Sequence, residues 1–79
     1  MNNKTADEMF EELGYETSEK LKNGIVYLKE EEDEDIEISF IDYDDYGKTV
    51  EVDKFSNLIT MQELQAINKK CKELGWLDE

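Results

Sequence analysis

Four residues near the middle of the chain follow part of the spacing of a calcium-binding loop. Asp42, Asp44, Gly47 and Asp53 occupy positions one, three, six and twelve, where oxygen ligands and a turn glycine wrap a hard cation. Position five is Tyr46, however, and no helix pattern precedes the loop. A tight hairpin with acidic shoulders is the better interpretation, so we expect no structural metal. A weak calcium-binding module is kept as an alternative.

The other candidates for chemistry are one cysteine and many carboxylates. Lysines flank Cys71, and nearby cations lower the pKa of a thiol, but its place on an apolar helix stripe favours core packing. Paired carboxylates can act as acid and base when their environments differ, yet no acid stands in a sequence context that predicts burial. Histidine is absent, which removes the usual general base at neutral pH. We therefore expect solvent-exposed acids throughout, no catalytic residue, no cofactor and a non-enzymatic function.

Acidic side chains are concentrated in the middle of the chain. Twelve acids and one lysine lie between Glu30 and Asp53, so these 24 residues carry −11 of the net charge of −13. Six adjacent acids at residues 30–35 open the segment, and apolar residues alternate through the remainder. This alternation favours a folded acidic surface over a disordered acidic tail.

Two helices are predicted at the ends of the chain. Each begins with a capping box, in which a threonine and a glutamate three residues later satisfy free backbone amides. Apolar residues then recur at helical spacing, and a glycine is placed to end each helix. The residues are Thr5, Glu8, Ala6, Met9, Phe10, Leu13 and Gly14 in the first helix, and Thr60, Glu63, Met61, Leu64, Ile67, Cys71, Leu74 and Gly75 in the second. Trp76 and Leu77 are expected to fold back onto the second helix.

Between the helices the apolar period changes to two, which is typical of strands. We predict strands over residues 15–21, 25–29, 35–42 and 48–52, with Asn23-Gly24 as the first hairpin turn. In the third strand, alternate residues share a face: Ile36, Ile38 and Phe40 on one side, and Glu37, Ser39 and Ile41 on the other.

The expected fold is α+β in a single domain over residues 1–79. An N-terminal helix, a three- to four-stranded antiparallel meander and a C-terminal helix follow one another, and both helices pack on the apolar face of the sheet. No apolar run approaches the ~18 residues of a membrane span, and the N-terminus lacks the apolar stretch of a signal peptide. We therefore expect a cytoplasmic protein that binds neither membranes nor nucleic acid directly.

The acidic segment has the properties of a surface that binds a basic protein. Carboxylates on one strand face recur every ~6.7 Å and strands lie ~4.8 Å apart, which is dense enough to compete with phosphates for a lysine-rich groove. Two tyrosines in the acidic turn add contact area with polar tips. The predicted partner-binding residues are Glu30, Glu31, Glu32, Asp33, Glu34, Asp35, Glu37, Asp42, Tyr43, Asp44, Asp45 and Tyr46. A purely solubilising role of the charge is the simpler alternative.

Both helices resemble a group of known proteins. Residues 5–15 (TADEMFEELGY) and 59–76 (ITMQELQAINKKCKELGW) are similar to small, mostly uncharacterised proteins encoded by phages and prophages of Gram-positive bacteria. The acidic middle lies outside this resemblance, which transfers no catalytic residues. It implies a bacterial host in which small acidic phage proteins inhibit defence, including anti-CRISPR proteins that occupy the DNA-binding groove of a Cas nuclease.

Charge and resemblance together predict a non-enzymatic inhibitor that binds a basic, nucleic-acid-binding host protein, with a Cas effector as one candidate. The alternative is a structural or regulatory phage protein that self-associates through the apolar seam of its C-terminal helix. A monomer is favoured, because a large net charge opposes association.

Overall fold

The chain forms two helices and a four-stranded sheet in the computed structural model, which describes residues 4–77. The elements in chain order are α1 (Ala6–Glu12), β1 (Glu16–Leu21), β2 (Gly24–Glu30), β3 (Asp35–Tyr43), β4 (Gly47–Asp53) and α2 (Met61–Glu73). The predicted α+β class and element order are confirmed, and the sheet has four strands. The ends of the predicted domain, residues 1–3 and 78–79, lie outside the described residues.

The sheet is an antiparallel meander with strand order β1-β2-β3-β4. Tyr27 of β2 lies opposite Ile38 of β3, which lies opposite Val52 of β4. Because directly opposed residues of antiparallel strands share a face, these three form one row on the same side. The predicted alternation in β3 is confirmed, since Ile36, Ile38 and Phe40 are buried on this side.

An aromatic cluster joins both helices to one face of the sheet. The Phe10 ring of α1 stacks on Tyr27 with centroids 4.2 Å apart, and Phe40 meets both rings edge-on. From α2, Cys71 packs into the same core, as predicted. Trp76 also folds back, with its ring 6.4 Å from that of Phe40. Both helices therefore cover the same side of the sheet.

The caps at the ends of both helices match those predicted from the sequence. Both predicted capping boxes are present, with Thr5 and Thr60 as N-caps. Gly14 and Gly75 adopt φ values of 95° and 78°, the left-handed conformation that ends a helix at low steric cost. None of the helices within residues 4–77 has the length and apolar character required to cross a membrane.

The first hairpin forms where predicted, but its turn differs from the expected Asn-Gly type. Leu21 pairs with Gly24, so the turn residues are Lys22 and Asn23, and neither Asn23 nor Gly24 has a positive φ. Gly24 is needed for another reason, because a Cβ there would lie 2.2 Å from the carbonyl oxygen of Phe40.

Asn23 ties the turn to the third strand. Its side-chain amide donates to the carbonyl oxygen of Asp42 at 2.9 Å, and its own carbonyl accepts from the Asp42 N–H at 2.9 Å. Asn23 and Gly24 therefore both contact residues of β3 that are distant in the chain. The local turn pattern in the sequence does not reveal these contacts.

We expect Gly24→Ala to lower the free energy of unfolding by about 1–3 kcal/mol, because the added methyl group overlaps the backbone of β3. Urea unfolding measures this loss. Ser18→Ala, at an exposed position in the bulged part of β1, is the control and should change stability by less than about 0.5 kcal/mol. A Gly24→Ala effect as small as the control would contradict the close approach.

Candidate partner-binding surface

The predicted partner-binding residues lie at two opposite ends of β3. Residues 30–35 form the end of β2, a loop and the start of β3, whereas residues 42–46 form the end of β3 and the turn into β4. β3 contains nine residues, so at ~3.3 Å per residue its ends are ~26 Å apart. The structure therefore does not bring all of the predicted residues onto one surface.

The acidic loop between β2 and β3 is anchored at several points. The Glu31 N–H donates to the carbonyl oxygen of Glu34 at 2.9 Å, and the Glu34 carboxylate accepts from the Phe55 N–H. Lys29 lies 3.6 Å from the Glu31 carboxylate. Glu32 and Asp33 remain exposed at the tip of the loop. Their carboxylates therefore lie on a loop whose backbone is fixed by the contacts of Glu31 and Glu34.

The turn between β3 and β4 combines exposed acids with a tyrosine pair. The rings of Tyr43 and Tyr46 meet edge-on with centroids 6.0 Å apart, and Tyr46 is 83% exposed. Asp42 is partly neutralised by Lys48, whose ammonium lies 3.8 Å from its carboxylate. This end of the sheet therefore offers aromatic contact area and less concentrated charge.

The face of the sheet opposite the helices is acidic, and we call it the open face. Strand register places the residues that alternate with the core on this face, including Val26, Leu28, Ser39 and Ile41. The acids assigned to the open face by the same register are Glu16, Glu19, Glu30, Asp35, Glu37, Glu51 and Asp53.

The strand lysines fall on the other side. Lys20 lies opposite Ile25, Lys29 opposite Ile36 and Lys48 opposite Asp42, all register positions of the helix-covered face. Lys29 extends along that side, with its ammonium 5.7 Å from the Tyr15 ring centroid. Within the four described strands, the open face thus carries seven carboxylates and no register position occupied by a lysine.

Like charges face each other directly on the open face. Glu37 lies opposite Asp53, and Glu30 lies opposite Asp35. Directly opposed like charges destabilise a sheet by a few tenths of a kcal/mol or more. A basic partner that inserted cations between these carboxylates would remove this repulsion.

The two central strands also contribute apolar side chains to the open face. Val26 is buried between its neighbours, and Leu28 and Ile41 are half-buried. These side chains lie on the two central strands, whereas Glu16 and Glu19 lie on one edge strand and Glu51 and Asp53 on the other. Glu37 lies on β3 between Leu28 and Asp53, so a carboxylate adjoins the apolar side chains of the central strands.

Four of the open-face acids were not among the predicted partner-binding residues. Glu51 and Asp53 alternate with Val50 and Val52, and this period-two signal was available in the sequence. Glu16 and Glu19 belong to the most polar strand, and only its bulged pairing with β2 places them on this face. Their contribution depends on long-range register, which local patterns do not specify.

The residues of the calcium-loop pattern do not surround one point. Asp42 lies opposite Lys48 at the start of β4, whereas Asp53 lies at the other end, opposite Glu37. The extended strand separates Gly47 from Asp53 by ~20 Å. Within residues 4–77 no group of three or more His, Cys, Asp or Glu side chains is arranged to hold a metal ion.

One acid is buried, so the prediction that all acids are exposed was wrong. Glu63 is only 5% exposed, and its carboxylate accepts from the Thr60 N–H at 2.8 Å, the Tyr15 hydroxyl at 2.9 Å and the Lys54 ammonium at 3.2 Å. Burial by itself raises the pKa of Glu63, but these hydrogen bonds and the Lys54 charge outweigh it and lower the pKa. The capping box in the sequence predicted the role of Glu63 at the start of α2. Its burial was not predicted, because it depends on contacts with Tyr15 and Lys54, which lie outside α2.

A second polar cluster joins α1, β2 and α2. The Tyr27 hydroxyl donates to the Asp7 carboxylate, and the Lys70 ammonium lies 3.5 Å from that carboxylate and 5.8 Å from the Tyr27 ring centroid. The pKa of Asp7 is lowered, chiefly by the Tyr27 hydrogen bond. The contacts among Asp7, Tyr27 and Lys70 connect α1, β2 and α2.

Cys71 lies in the core and is not part of this cluster. Burial raises the pKa of the Cys71 thiol, which disfavours the nucleophilic thiolate.

No protein-family model, curated protein or solved structure matches this chain. The resemblance of the helices to phage-encoded proteins therefore stays a prediction. Fold and surface together define a small α+β protein with one helix-covered sheet face and one acidic open face.

We expect Glu63→Gln to lower the free energy of unfolding at neutral pH by roughly 3 kcal/mol, because it leaves Lys54 unpaired in a buried site. The folded-state pKa of Glu63 lies below its ordinary value of 4.5, so its ionised form stabilises the fold above that pH. The contribution is lost as pH falls through the folded-state pKa. Urea unfolding between about pH 7 and pH 3 should show a shallower acid decline in the variant.

Glu8→Gln is the matched control for this variant. Glu8 holds the same capping-box position in α1, but it is exposed. Its loss should cost less than about 1 kcal/mol. Equal losses in the two variants, or an unchanged acid decline in Glu63→Gln, would show that the Tyr15 and Lys54 contacts contribute little.

Proposed function

We propose that this protein is a non-enzymatic interaction module whose open face binds a basic surface of a protein that otherwise binds nucleic acid. The observation that supports this function is the separation of charge across the sheet. Seven carboxylates share the open face, and the strand lysines occupy register positions on the helix-covered face. Such a face attracts lysine and arginine side chains and repels phosphates.

The density of charge suits competition with a polyanion. The seven carboxylates fall in three successive rows across four strands, headed on β3 by positions 35, 37 and 39. From strand spacing and rise, these rows cover a patch of ~14 × 13 Å. A basic groove that has evolved to neutralise closely spaced phosphates would meet a comparable array of anions here.

The anchored loop after β2 extends this patch. Glu32 and Asp33, at the exposed tip of the loop, lie beyond the row formed by Glu30 and Asp35, whereas the Glu31 carboxylate is directed toward Lys29 on the helix-covered side. Glu32 and Asp33 thus adjoin the open-face acids Glu30, Asp35 and Glu37. Asp44 and Asp45 lie beyond an uncharged row that contains Ile41 and Thr49, so the proposed site gives them a smaller role.

The resemblance of the two helices to phage-encoded proteins suggests a class of partner. In this proposal the protein is phage-encoded and acts in the cytoplasm of a bacterial host, where a basic nuclease of a defence system is its target. A Cas effector is accordingly the first partner to test. In this proposal the protein blocks the nucleic-acid-binding groove and performs no chemistry on its partner.

A second candidate function is self-association through α2. The predicted apolar stripe is only partly covered: Ile67 and Cys71 are buried, whereas Met61, Leu64 and, at the C-cap, Leu74 are exposed. The exposed side chains of Met61 and Leu64 would suit a second copy of the helix in a structural or regulatory assembly. Sedimentation that shows a concentration-dependent dimer with unchanged peptide binding by the open face would favour this function.

We expect neutralisation of the open face to weaken binding of a ten-residue lysine peptide by about tenfold at low salt. The variant combines Glu37→Gln, Glu51→Gln and Asp53→Asn. Its stability should be unchanged or higher, because it relieves the repulsion between positions 37 and 53. Fluorescence titration of labelled peptide measures the affinity, and the difference from the unaltered protein should shrink as salt is added.

The matched control removes three charges elsewhere, with Glu11→Gln, Asp44→Asn and Asp45→Asn. These acids are exposed and lie off the open face, so affinity should fall less than about threefold. Equal weakening in the two variants would mean that net charge alone attracts the peptide. Pull-down of a candidate nuclease with the unaltered protein and both variants then extends the comparison to a folded partner.

A further inference from the structure

The two edges of the sheet differ in how they are protected. β1 forms one edge, and its pairing with β2 is interrupted by a bulge between Thr17 and Glu19. β4 forms the other edge and pairs with β3 in unbroken register over all seven of its residues. Bulges discourage pairing with another chain, whereas a regular edge invites it. β4 is therefore the better template for an added strand.

The outer edge of β4 has unused pairing capacity. Apart from its pairing with β3, no hydrogen bond connects the β4 backbone to another residue of the described chain. Val50 lies opposite the fully buried Phe40 yet is itself 36% exposed. The helix layer thus stops short of this edge and leaves its apolar side accessible.

The two sides of this edge differ in chemistry. Over residues 50–53, β4 presents the carboxylates of Glu51 and Asp53 on the open face and Val50 and Val52 on the helix-covered side, where Lys48 precedes the two valines. The apolar side continues into a surface groove of about 210 Å³, whose lining includes Val52, Leu58 and Ile59. Leu58 is 75% exposed. A strand placed beside β4 would meet anions on one side and apolar groups on the other.

We propose that β4 accepts an extended basic segment of the partner as a fifth strand. Lysine or arginine side chains at alternate positions face the acidic open face, and apolar side chains between them pack on Val50, Val52 and Leu58. Main-chain hydrogen bonds to β4 hold the segment. The acidic side and the apolar side of the β4 edge select a sequence in which basic and apolar residues alternate. This inference rests on the proposed function for the basic character of the partner and adds the mode of recognition.

Four synthetic peptides test this mode with the full-length protein. The first alternates lysine and valine over seven residues, starting and ending with lysine. The second has the same composition with the three valines grouped in the centre. The third and fourth keep the alternating order but are N-methylated on all valine amides or on all lysine amides, which removes the donors along one edge of the peptide.

We expect the alternating peptide to bind at least tenfold more tightly than the grouped peptide and than one of the two N-methylated peptides. Three lost hydrogen bonds are sufficient for a factor of this size. In ¹⁵N-labelled protein, the alternating peptide should also slow amide hydrogen exchange along β4 and leave exchange in β1 unchanged.

Two variants test the apolar side of the edge. Leu58→Ser should weaken binding of the alternating peptide about fivefold, because a leucine side chain partly buried by the peptide is lost. Met61→Ser removes an exposed apolar side chain outside the groove, and it should change affinity less than about twofold. Equal effects of the two variants would overturn the assigned position of the peptide.

The peptide results separate this inference from the proposed function. Equal affinities for all four peptides would overturn strand addition and leave charge-driven binding by the open face intact. Slowed exchange in β1 in place of β4 would also overturn it. If none of the peptides binds, both the strand addition and the proposed function are wrong.

Discussion

One-sided burial is the constraint on which the rest of this structure depends. Phe10 of α1 stacks on Tyr27 and meets Phe40 edge-on, and Ile67 and Cys71 of α2 join the same core, so both helices lie on a single face of the sheet. Side chains in a strand alternate between faces, so residues between the core positions must point away from the helices. Those intervening residues include Glu37, Glu51 and Asp53. The acidic open face is thus the direct consequence of an apolar core built on the opposite side.

Electrostatic interactions follow the same division. On the helix-covered side, Lys70 lies beside the exposed Asp7, and Lys54 pairs with the buried Glu63, a carboxylate that would be costly to bury without a partner. On the open face, the strand register sets carboxylates against one another, as in the pair of Glu37 and Asp53. Lys54 and Lys70 therefore support contacts of the helix-covered side, whereas no lysine of the four described strands occupies a register position on the open face.

The local parts of this fold were predictable from sequence, and the long-range parts were not. The capping boxes at Thr5 and Thr60 are encoded within four residues, and alternation over β3 identified both of its faces. Gly24 looked like a turn glycine, but its lack of a side chain is required by the Phe40 backbone sixteen positions away. The burial of Glu63 likewise depends on Tyr15, which lies 48 positions away in the chain. For the same reason, the predicted acids separated into two groups, and the acids of β1 were missed.

Repulsion on the open face couples stability to binding. In the free protein, the opposed carboxylates of Glu37 and Asp53 lower the free energy of unfolding. In the proposed function, a cation placed between them by a partner would remove that repulsion, so part of the affinity would come from relief of a destabilisation present in the free protein. Ligands that bind only the folded state raise its stability in proportion to the logarithm of their concentration. Asp53 also ends β4, the strand with the unprotected outer edge. In the proposed mode of recognition, charge relief and strand addition would therefore act on the same strand and reinforce each other.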